Sequence, residues 1–326
     1  MTNANQNFPP KVLLVRSAGF PQSWVDEMGS TFPAVDFLVA DDNLESIRAA
    51  IPAANVLVGC PRHLFSATLL AAAPNLVWVH STGAGVEQFI LPGFVESDIL
   101  FTNGRIIQGP EVADHALALI LALSRNVAQM LKGQPRSEMP RAIELRKKVC
   151  LVYGLGGIGL LVAERVRSFG MSVIGIANDL PPMLSMVDEF FGPEDFLDQL
   201  PRADVVVCAA PNTLRTRQVI DAAHFAAMKH GSIFINVSRG AVVDTTALSD
   251  AVRAGKFRGV GLDVTEPEPL PSDHPLHGYP NVLITPHMAG PSDHNRRRSF
   301  ELVRDNIARF IRGENLFNIV SKQLGY

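Results

Sequence analysis

The sequence predicts an α/β protein made of two doubly wound domains, and three observations carry that expectation. Strand-like and helix-like segments alternate almost from end to end, the pattern of parallel sheets covered by helices. The strands fall into two series separated by a long apolar helix, so two sheets are needed. At 326 residues the chain can also build two cores of ordinary size.

In the first series, strands are expected at Val12 to Arg16, Val35 to Val39, Asn55 to Gly59, Leu76 to His80 and Ile99 to Thr102, with helices such as Ser66 to Ala73 between them. A long helix follows from about Pro110 to Leu131, apolar throughout 116 to 123. The segment Gln134 to Lys148 is polar and proline-punctuated and reads as a surface connection. The second series opens at Val149 and continues through Met171 to Ala177, Asp204 to Ala210, Ser232 to Val237, Phe257 to Val264 and Val282 to Thr285. Asp221 and Asp244 suit helix N-caps, and Gly231 and Gly255 suit helix stops. A last helical pattern, from about Arg296 to Arg312, ends at Gly313. If it crosses back, the first domain is discontinuous, 1–105 with 293–326, around an inserted domain at 106–292. A cleft between such lobes is where a substrate is expected.

Composition narrows the function. A hydrophobic share of 47%, a charged share of 19% and a formal net charge of −3 describe a globular chain with no electrostatic case for nucleic acid or an anionic membrane. Cys60, Cys150 and Cys208 sit in or beside apolar runs with no C-x-x-C pair, which reads as reduced core cysteine. The N-terminus MTNANQNFPP lacks a basic start and an apolar core, and no apolar run approaches a membrane span, so a cytoplasmic protein is expected.

The stretch VCLVYGLGGIG, Val149 to Gly159, puts glycines in the G-x-G-x-x-G spacing directly after an apolar strand. Gly154 allows the tight turn, Gly156 lets backbone approach a pyrophosphate, and Gly159 lets the next helix pack on the sheet. The intervening Leu155, Gly157 and Ile158 belong to the same loop, and the first N–H groups of the helix would face the phosphates. An acid should end the second strand to hold a ribose hydroxyl, but that position falls near Ala177, with Asn178 and Asp179 just beyond. No Arg or Lys lies between Ala177 and Phe190 to greet a 2′-phosphate, which favours NAD over NADP.

Three polar residues end strands of the second series. Arg239 follows the apolar strand SIFINV, Glu268 lies between Pro267 and Pro269 after the strand GVGLDV, and His287 follows a short strand in Thr285-Pro-His-Met-Ala-Gly290. Taken singly, they read as a solvated surface arginine, a loop charge and a structural histidine. Together at one sheet edge they could polarise a carbonyl, orient a ring and carry a proton. His274 and His277 near His287 or His294 lack a supporting carboxylate pair, so no metal is expected.

In this order the motifs Ser81-Thr-Gly-Ala-Gly-Val-Glu87, Thr102-Asn103, Val112-Ala-Asp-His115, Gly154-Leu-Gly-Gly-Ile-Gly159, Asn236-Val-Ser-Arg-Gly240, Gly261-Leu-Asp-Val264, Pro267-Glu-Pro-Leu-Pro271 and Thr285-Pro-His287 resemble the D-isomer-specific 2-hydroxyacid dehydrogenase family, which includes glyoxylate and hydroxypyruvate reductases and phosphoglycerate dehydrogenases. The resemblance covers nearly the whole chain. It implies a central Rossmann nucleotide-binding domain inserted in a flavodoxin-like substrate domain, and a homodimer formed through the nucleotide-binding domains. It makes Arg239, Glu268 and His287 catalytic and gives the substrate carboxylate to the backbone N–H groups of Thr82, Gly83, Ala84 and Gly85, with Arg239 and His287 also on the substrate. It places Asp263 at the nicotinamide amide, and Ala210, Pro211, Thr216, Val237, Ser238, Arg239 and His287 among the cofactor contacts. The implied reaction interconverts a small 2-keto acid and its D-2-hydroxy acid. The chain departs from the family pattern at Asp114, where Glu is common, in a shorter connection before Val149 that lacks the tryptophan common there, and in the displaced acid after the second strand. Two other functions are compatible with the same motifs: a nucleotide-sensing protein of the corepressor kind, and phosphite oxidation. Formate is disfavoured, because formate dehydrogenases of the wider group carry Gln where Glu268 stands. Arg62 and His80 are candidates to meet a second anionic group on the substrate.

Overall fold

The computed structural model describes residues 10–16, 20–180 and 184–325, so all of the N-terminal segment read for a signal except Pro10 lies outside them. The chain divides into two compact units, one formed by residues 1–107 with 292–326 and the other by 108–291.

The first unit begins with β1 (Lys11–Arg16), α1 (Gln22–Thr31), β2 (Asp36–Asp41), α2 (Leu44–Ala50), β3 (Val56–Val58), α3 (Ala67–Ala71), β4 (Trp78–Ser81), α4 (Pro92–Val95) and β5 (Leu100–Asn103). Its five strands pair in parallel in the order β2-β1-β3-β4-β5. That is the doubly wound order with one reversal of direction, as expected from the alternating pattern.

The second unit contains α5 (Gly109–Ser124), α6 (Val127–Leu131), β6 (Val149–Tyr153), α7 (Gly157–Ser168), β7 (Ser172–Ile176), β8 (Glu189–Phe191), α8 (Phe196–Gln199), β9 (Val205–Cys208), α9 (Ala222–Ala227), β10 (Ser232–Asn236), α10 (Thr245–Arg253), β11 (Phe257–Leu262) and β12 (Val282–Ile284). The sheet is parallel throughout, in the order β12-β11-β10-β9-β6-β7-β8. Its strands other than the edge strands β8 and β12 are buried on both faces, which is why they read as continuous apolar runs rather than as alternating patterns.

Finally α11 (Asn295–Ile311) returns to the first unit, where Phe300, Val303 and Ile307 pack with Val12, Leu14, Val58 and Trp78. Beyond it, Val320 N–H donates to the Phe101 carbonyl at 2.8 Å and Ile319 bridges Thr102. Lys322 adds a clamp: its Nζ donates to the carbonyls of Phe94 at 2.8 Å and Ile99 at 3.0 Å. The three cysteines are free and buried. Among the described residues no helix is long and apolar enough to cross a membrane.

Two expectations need correction. The helix drawn from Pro110 to Leu131 is two helices, because Asn126 takes the left-handed conformation at φ 60°. Its side chain holds that turn, donating to the Pro140 carbonyl at 2.6 Å and accepting from Arg258 Nη2 at 2.7 Å. The edge strand β8 had no counterpart in the sequence reading, since three residues among acids and phenylalanines carry too little periodicity. The caps behave as expected: Asp221 accepts from the Ala223 and His224 N–H groups, and Asp244 from Ala247 N–H.

A buried polar row runs across the first sheet. Thr102 Oγ1 lies 2.8 Å from both Trp78 Nε1 and His80 Nδ1, and His80 Nε2 is buried without a partner among the described residues. His80 therefore belongs to the sheet interior, and burial pushes its pKa down to about 4 from 6.5. The unfolded chain takes up this proton below about pH 6.5 and the folded chain only below about 4. The contribution of neutral His80 to stability is thus complete above the higher value and lost as pH falls toward the lower. Denaturant titrations should show stability falling through that window, and the fall should be smaller by about 3 kcal/mol in His80→Gln. Parallel pH dependences in the two proteins would remove His80 as the cause.

Candidate active site

Parallel pairing sends the segments that follow β6, β7, β9, β10, β11 and β12 to one edge of the seven-stranded sheet. Every candidate of the second unit lies there. After β6 the turn passes through Gly154 at φ +96°, and a Cβ at that point would lie 2.6 Å from the backbone of Ala210. A Cβ at Gly159 would lie 1.8 Å from the Gly154 carbonyl oxygen, so the helix can approach only as glycine. Gly156 differs, since a Cβ there would meet no protein atom within 4 Å and the space above its backbone is open. Gly156 also stands at the N-cap of α7, where no side chain caps the first N–H groups. Those of Gly157, Ile158 and Gly159 suit a pyrophosphate, so the residues fit a dinucleotide on this turn. The Leu155 side chain is buried in the core and Ile158 packs against the same cluster, which leaves their backbones to the loop.

Asn178 and Asp179 follow β7 and are both exposed. Ala210 and Pro211 follow β9. Thr216 Oγ1 donates to the Pro211 carbonyl at 2.6 Å and accepts from Thr213 N–H at 2.8 Å, so this side chain shapes the loop. Val237 and Ser238 are buried, and Ser238 Oγ donates to Asn236 Oδ1 at 2.8 Å.

Arg239 follows β10. Asn236 Nδ2 donates to its carbonyl at 3.1 Å, and its own Nη1 donates to the Ser238 carbonyl at 2.8 Å. A Cβ at Gly240 would fall 1.9 Å from the Thr265 carbonyl oxygen, so this turn lies flush against the segment leading to Glu268. The peptide bonds before Pro267 and Pro269 are both cis.

His287 follows β12 at φ +50°, its N–H shared between the Asp263 carbonyl at 2.9 Å and the Thr285 carbonyl at 3.0 Å. Its Nδ1 lies 2.6 Å from Glu268 Oε1. An ionised carboxylate only accepts, so Nδ1 carries the hydrogen and Nε2 is left for proton exchange. The side chains are 47% and 40% exposed, so the ring opens outward rather than into the core. Arg239 stands on the turn two strands away.

Asp263 is only 2% exposed. Its Oδ1 accepts from Thr285 Oγ1 at 2.7 Å and Met288 N–H at 2.9 Å, and its Oδ2 from Ala289 N–H at 3.1 Å. Sequence reasoning singled out Asp263 but passed over Thr285 as a functional group. It also gave no role to His115, whose Nε2 lies 2.9 Å from Thr285 Oγ1 across 170 positions of chain.

In the first unit, Thr82 to Gly85 follow β4. Gly104 N–H donates to the Gly83 carbonyl at 3.0 Å and Asn103 Nδ2 to the Ala84 carbonyl at 2.7 Å. With those carbonyls engaged, the N–H groups of Gly83, Ala84 and Gly85 have no partner among the described residues, an arrangement that suits an anion. The Arg62 guanidinium lies over this loop, since a Cβ at Gly83 would meet its Nη2.

Residues 117–289 match the D-isomer specific 2-hydroxyacid dehydrogenase, NAD binding domain. The chain is 32% identical over 304 residues to a D-3-phosphoglycerate dehydrogenase of Methanocaldococcus jannaschii, covering 91% of this chain and 56% of that protein. It thus spans little more than half the length of that curated relative. It is 31% identical over 293 residues to glyoxylate/hydroxypyruvate reductase B of Citrobacter koseri, covering 87% of this chain and 89% of that one. The crystal structure of a D-isomer specific 2-hydroxyacid dehydrogenase family protein from Aeromonas salmonicida superposes with a TM-score of 0.81 at 29% identity, covering 96% of this chain and 99% of that chain. The glycine turn, the paired histidine and glutamate and these likenesses agree, and the chain belongs to the D-isomer specific 2-hydroxyacid dehydrogenase family.

Proposed function

We propose that this chain is an NAD-dependent oxidoreductase interconverting a small 2-keto acid and its D-2-hydroxy acid. The observation that carries the reading is His287 Nδ1 at 2.6 Å from Glu268 Oε1, on side chains that are 47% and 40% exposed. A nicotinamide dinucleotide held on the Gly154–Gly159 turn would supply the hydride for the carbonyl carbon. His287, charged, gives its Nε2 proton to the carbonyl oxygen, and in the reverse direction neutral His287 takes the hydroxyl proton. Glu268 keeps the imidazole oriented through both states. Arg239 offers a fork that can hold carboxylate and carbonyl oxygen together, fixing the angle of attack and stabilising charge on oxygen. The open N–H groups of Gly83 to Gly85 serve the substrate carboxylate, and the turn Gly154 to Gly159 serves the pyrophosphate.

NAD is favoured over NADP because no Lys, Arg or His lies between Arg167 and Arg202, the stretch containing β7, β8 and the residues after them. Asp179 after β7, and Glu194 and Asp195 after β8, add negative charge where a 2′-phosphate would need positive charge. A homodimer formed through the nucleotide-binding unit is supported by the exposed apolar side chains of α6, Val127, Met130 and Leu131. A cytoplasmic setting is supported by the three buried free thiols.

Steady-state assays of NADH and NADPH oxidation against glyoxylate, hydroxypyruvate, pyruvate and phenylpyruvate test the reading. Turnover is expected with at least one acid, with kcat/KM at least about 10-fold higher for NADH. His287→Gln should lower kcat by about 10²- to 10⁴-fold while NADH affinity stays near wild type. Loss of NADH affinity in step with kcat would contradict the proton-donor role. Arg239→Lys should cost about 10²-fold in kcat/KM for the keto acid, because an ammonium cannot span two oxygens. A Lys variant at wild-type efficiency would sink the two-point contact.

A further inference from the structure

His115 belongs to α5, away from the loops that carry the proposed chemistry, yet one of its nitrogens reaches them. Its Nε2 is 2.9 Å from Thr285 Oγ1, which in turn is 2.7 Å from Asp263 Oδ1. The atoms decide the direction of these bonds. Ionised Asp263 only accepts, and the Thr285 hydroxyl has a single hydrogen. That hydrogen goes to Asp263, the hydroxyl presents a lone pair to His115, and His115 Nε2 must carry the hydrogen between them.

The row ends on the backbone of His287 and of the two residues after it. Asp263 Oδ1 receives Met288 N–H at 2.9 Å, Oδ2 receives Ala289 N–H at 3.1 Å, and the Asp263 main-chain carbonyl receives His287 N–H at 2.9 Å. His287 sits at φ +50°, a region that a side chain other than glycine keeps only when its surroundings over-determine it. The helix that offers His115 is itself anchored, since the preceding residue, Asp114, accepts from Arg165 Nε of α7 at 2.5 Å. The backbone of the proton donor is thereby tied to the helix that starts at the glycine turn.

We infer that His115 is a positioning residue for the proton-transfer step. Its Nε2–H holds the Thr285 hydroxyl on Asp263, and Asp263 holds the backbone around His287 so that the ring keeps Nδ1 on Glu268. The inference rests on the reading of His287 as the acid–base group, but its geometric part can be tested apart from turnover.

The experiment compares His115→Leu, His115→Gln, Thr285→Val and Thr285→Ser for kcat, keto-acid KM, NADH dissociation constant and Tm, with hydrogen exchange at the Met288 and Ala289 amides. The Leu and Val variants should lose about 10-fold in kcat with NADH binding and Tm little changed. Gln and Ser, which keep a donor and a hydroxyl, should recover most of it, and the double Leu/Val variant should be no worse than Thr285→Val alone. Exchange at Met288 and Ala289 should quicken in the Leu and Val variants. Unchanged kcat in both would overturn the inference. So would a loss of Tm and NADH affinity in step with kcat, which would make His115 a packing residue. If the wild-type chain reduces no keto acid, the dehydrogenase reading fails by itself. Exchange then decides the row: quickening supports the hold on the loop, and no change overturns it.

Discussion

Parallel pairing is the constraint on which the rest of this molecule depends. Each strand must be followed by a crossover that returns the chain to the starting edge, so all strand ends gather on one side. In the seven-stranded sheet the chain runs outward from β6 to β8, then resumes at β9 on the other side of β6. The segments after β6 and β9 therefore part, and the close approach of Gly154 to Ala210 forms the floor where they do. Arg239, Asp263, Glu268 and His287 need no special mechanism to meet at this edge, because they follow β10, β11 and β12 in succession.

Two threonines solve the same problem in the two units. Thr102 stands between Trp78 and His80 inside the first sheet, and Thr285 stands between His115 and Asp263 beside the second. A hydroxyl is donor and acceptor at once, so one atom can serve both neighbours. In the first case the row ends on a His80 nitrogen without a partner among the described residues and serves the interior. In the second it ends on backbone N–H groups and serves a loop. Burial makes the first row the more demanding, since a lost partner there leaves a polar atom without water.

Much of the fold is legible in the sequence because its strands are doubly buried and so stand out as apolar runs. The glycines of the turn are legible too, because Gly154 and Gly159 each meet a steric demand that only glycine satisfies. The edge strand β8 is not, since Glu189 to Phe191 lie at the margin of the sheet where exposure erases the pattern. The break at Asn126 is hidden for another reason: the conformation is held by Pro140 and Arg258, residues no local window contains. In the site, Arg239, Glu268 and His287 announce themselves by following strands. His115 does not, because its relation to Thr285 exists only once α5 has packed on the sheet. The phosphoglycerate dehydrogenase likeness spans 56% of that relative, while the hydroxypyruvate reductase likeness spans 89% of its own, so the shared content is the two-unit core.

The return of α11 to the first unit has a consequence for how the chain comes into being. During synthesis all of residues 108–291 are present before Phe300, Val303 and Ile307 exist. The inserted unit is contiguous and can close its core at that stage. The outer sheet must wait with Val12, Leu14 and Trp78 uncovered until α11 arrives, and its β5 edge until Val320 reaches Phe101. The nascent protein thus completes its nucleotide-type sheet while the outer unit remains an apolar surface in search of its last helix, the stage most exposed to aggregation and most suited to a chaperone.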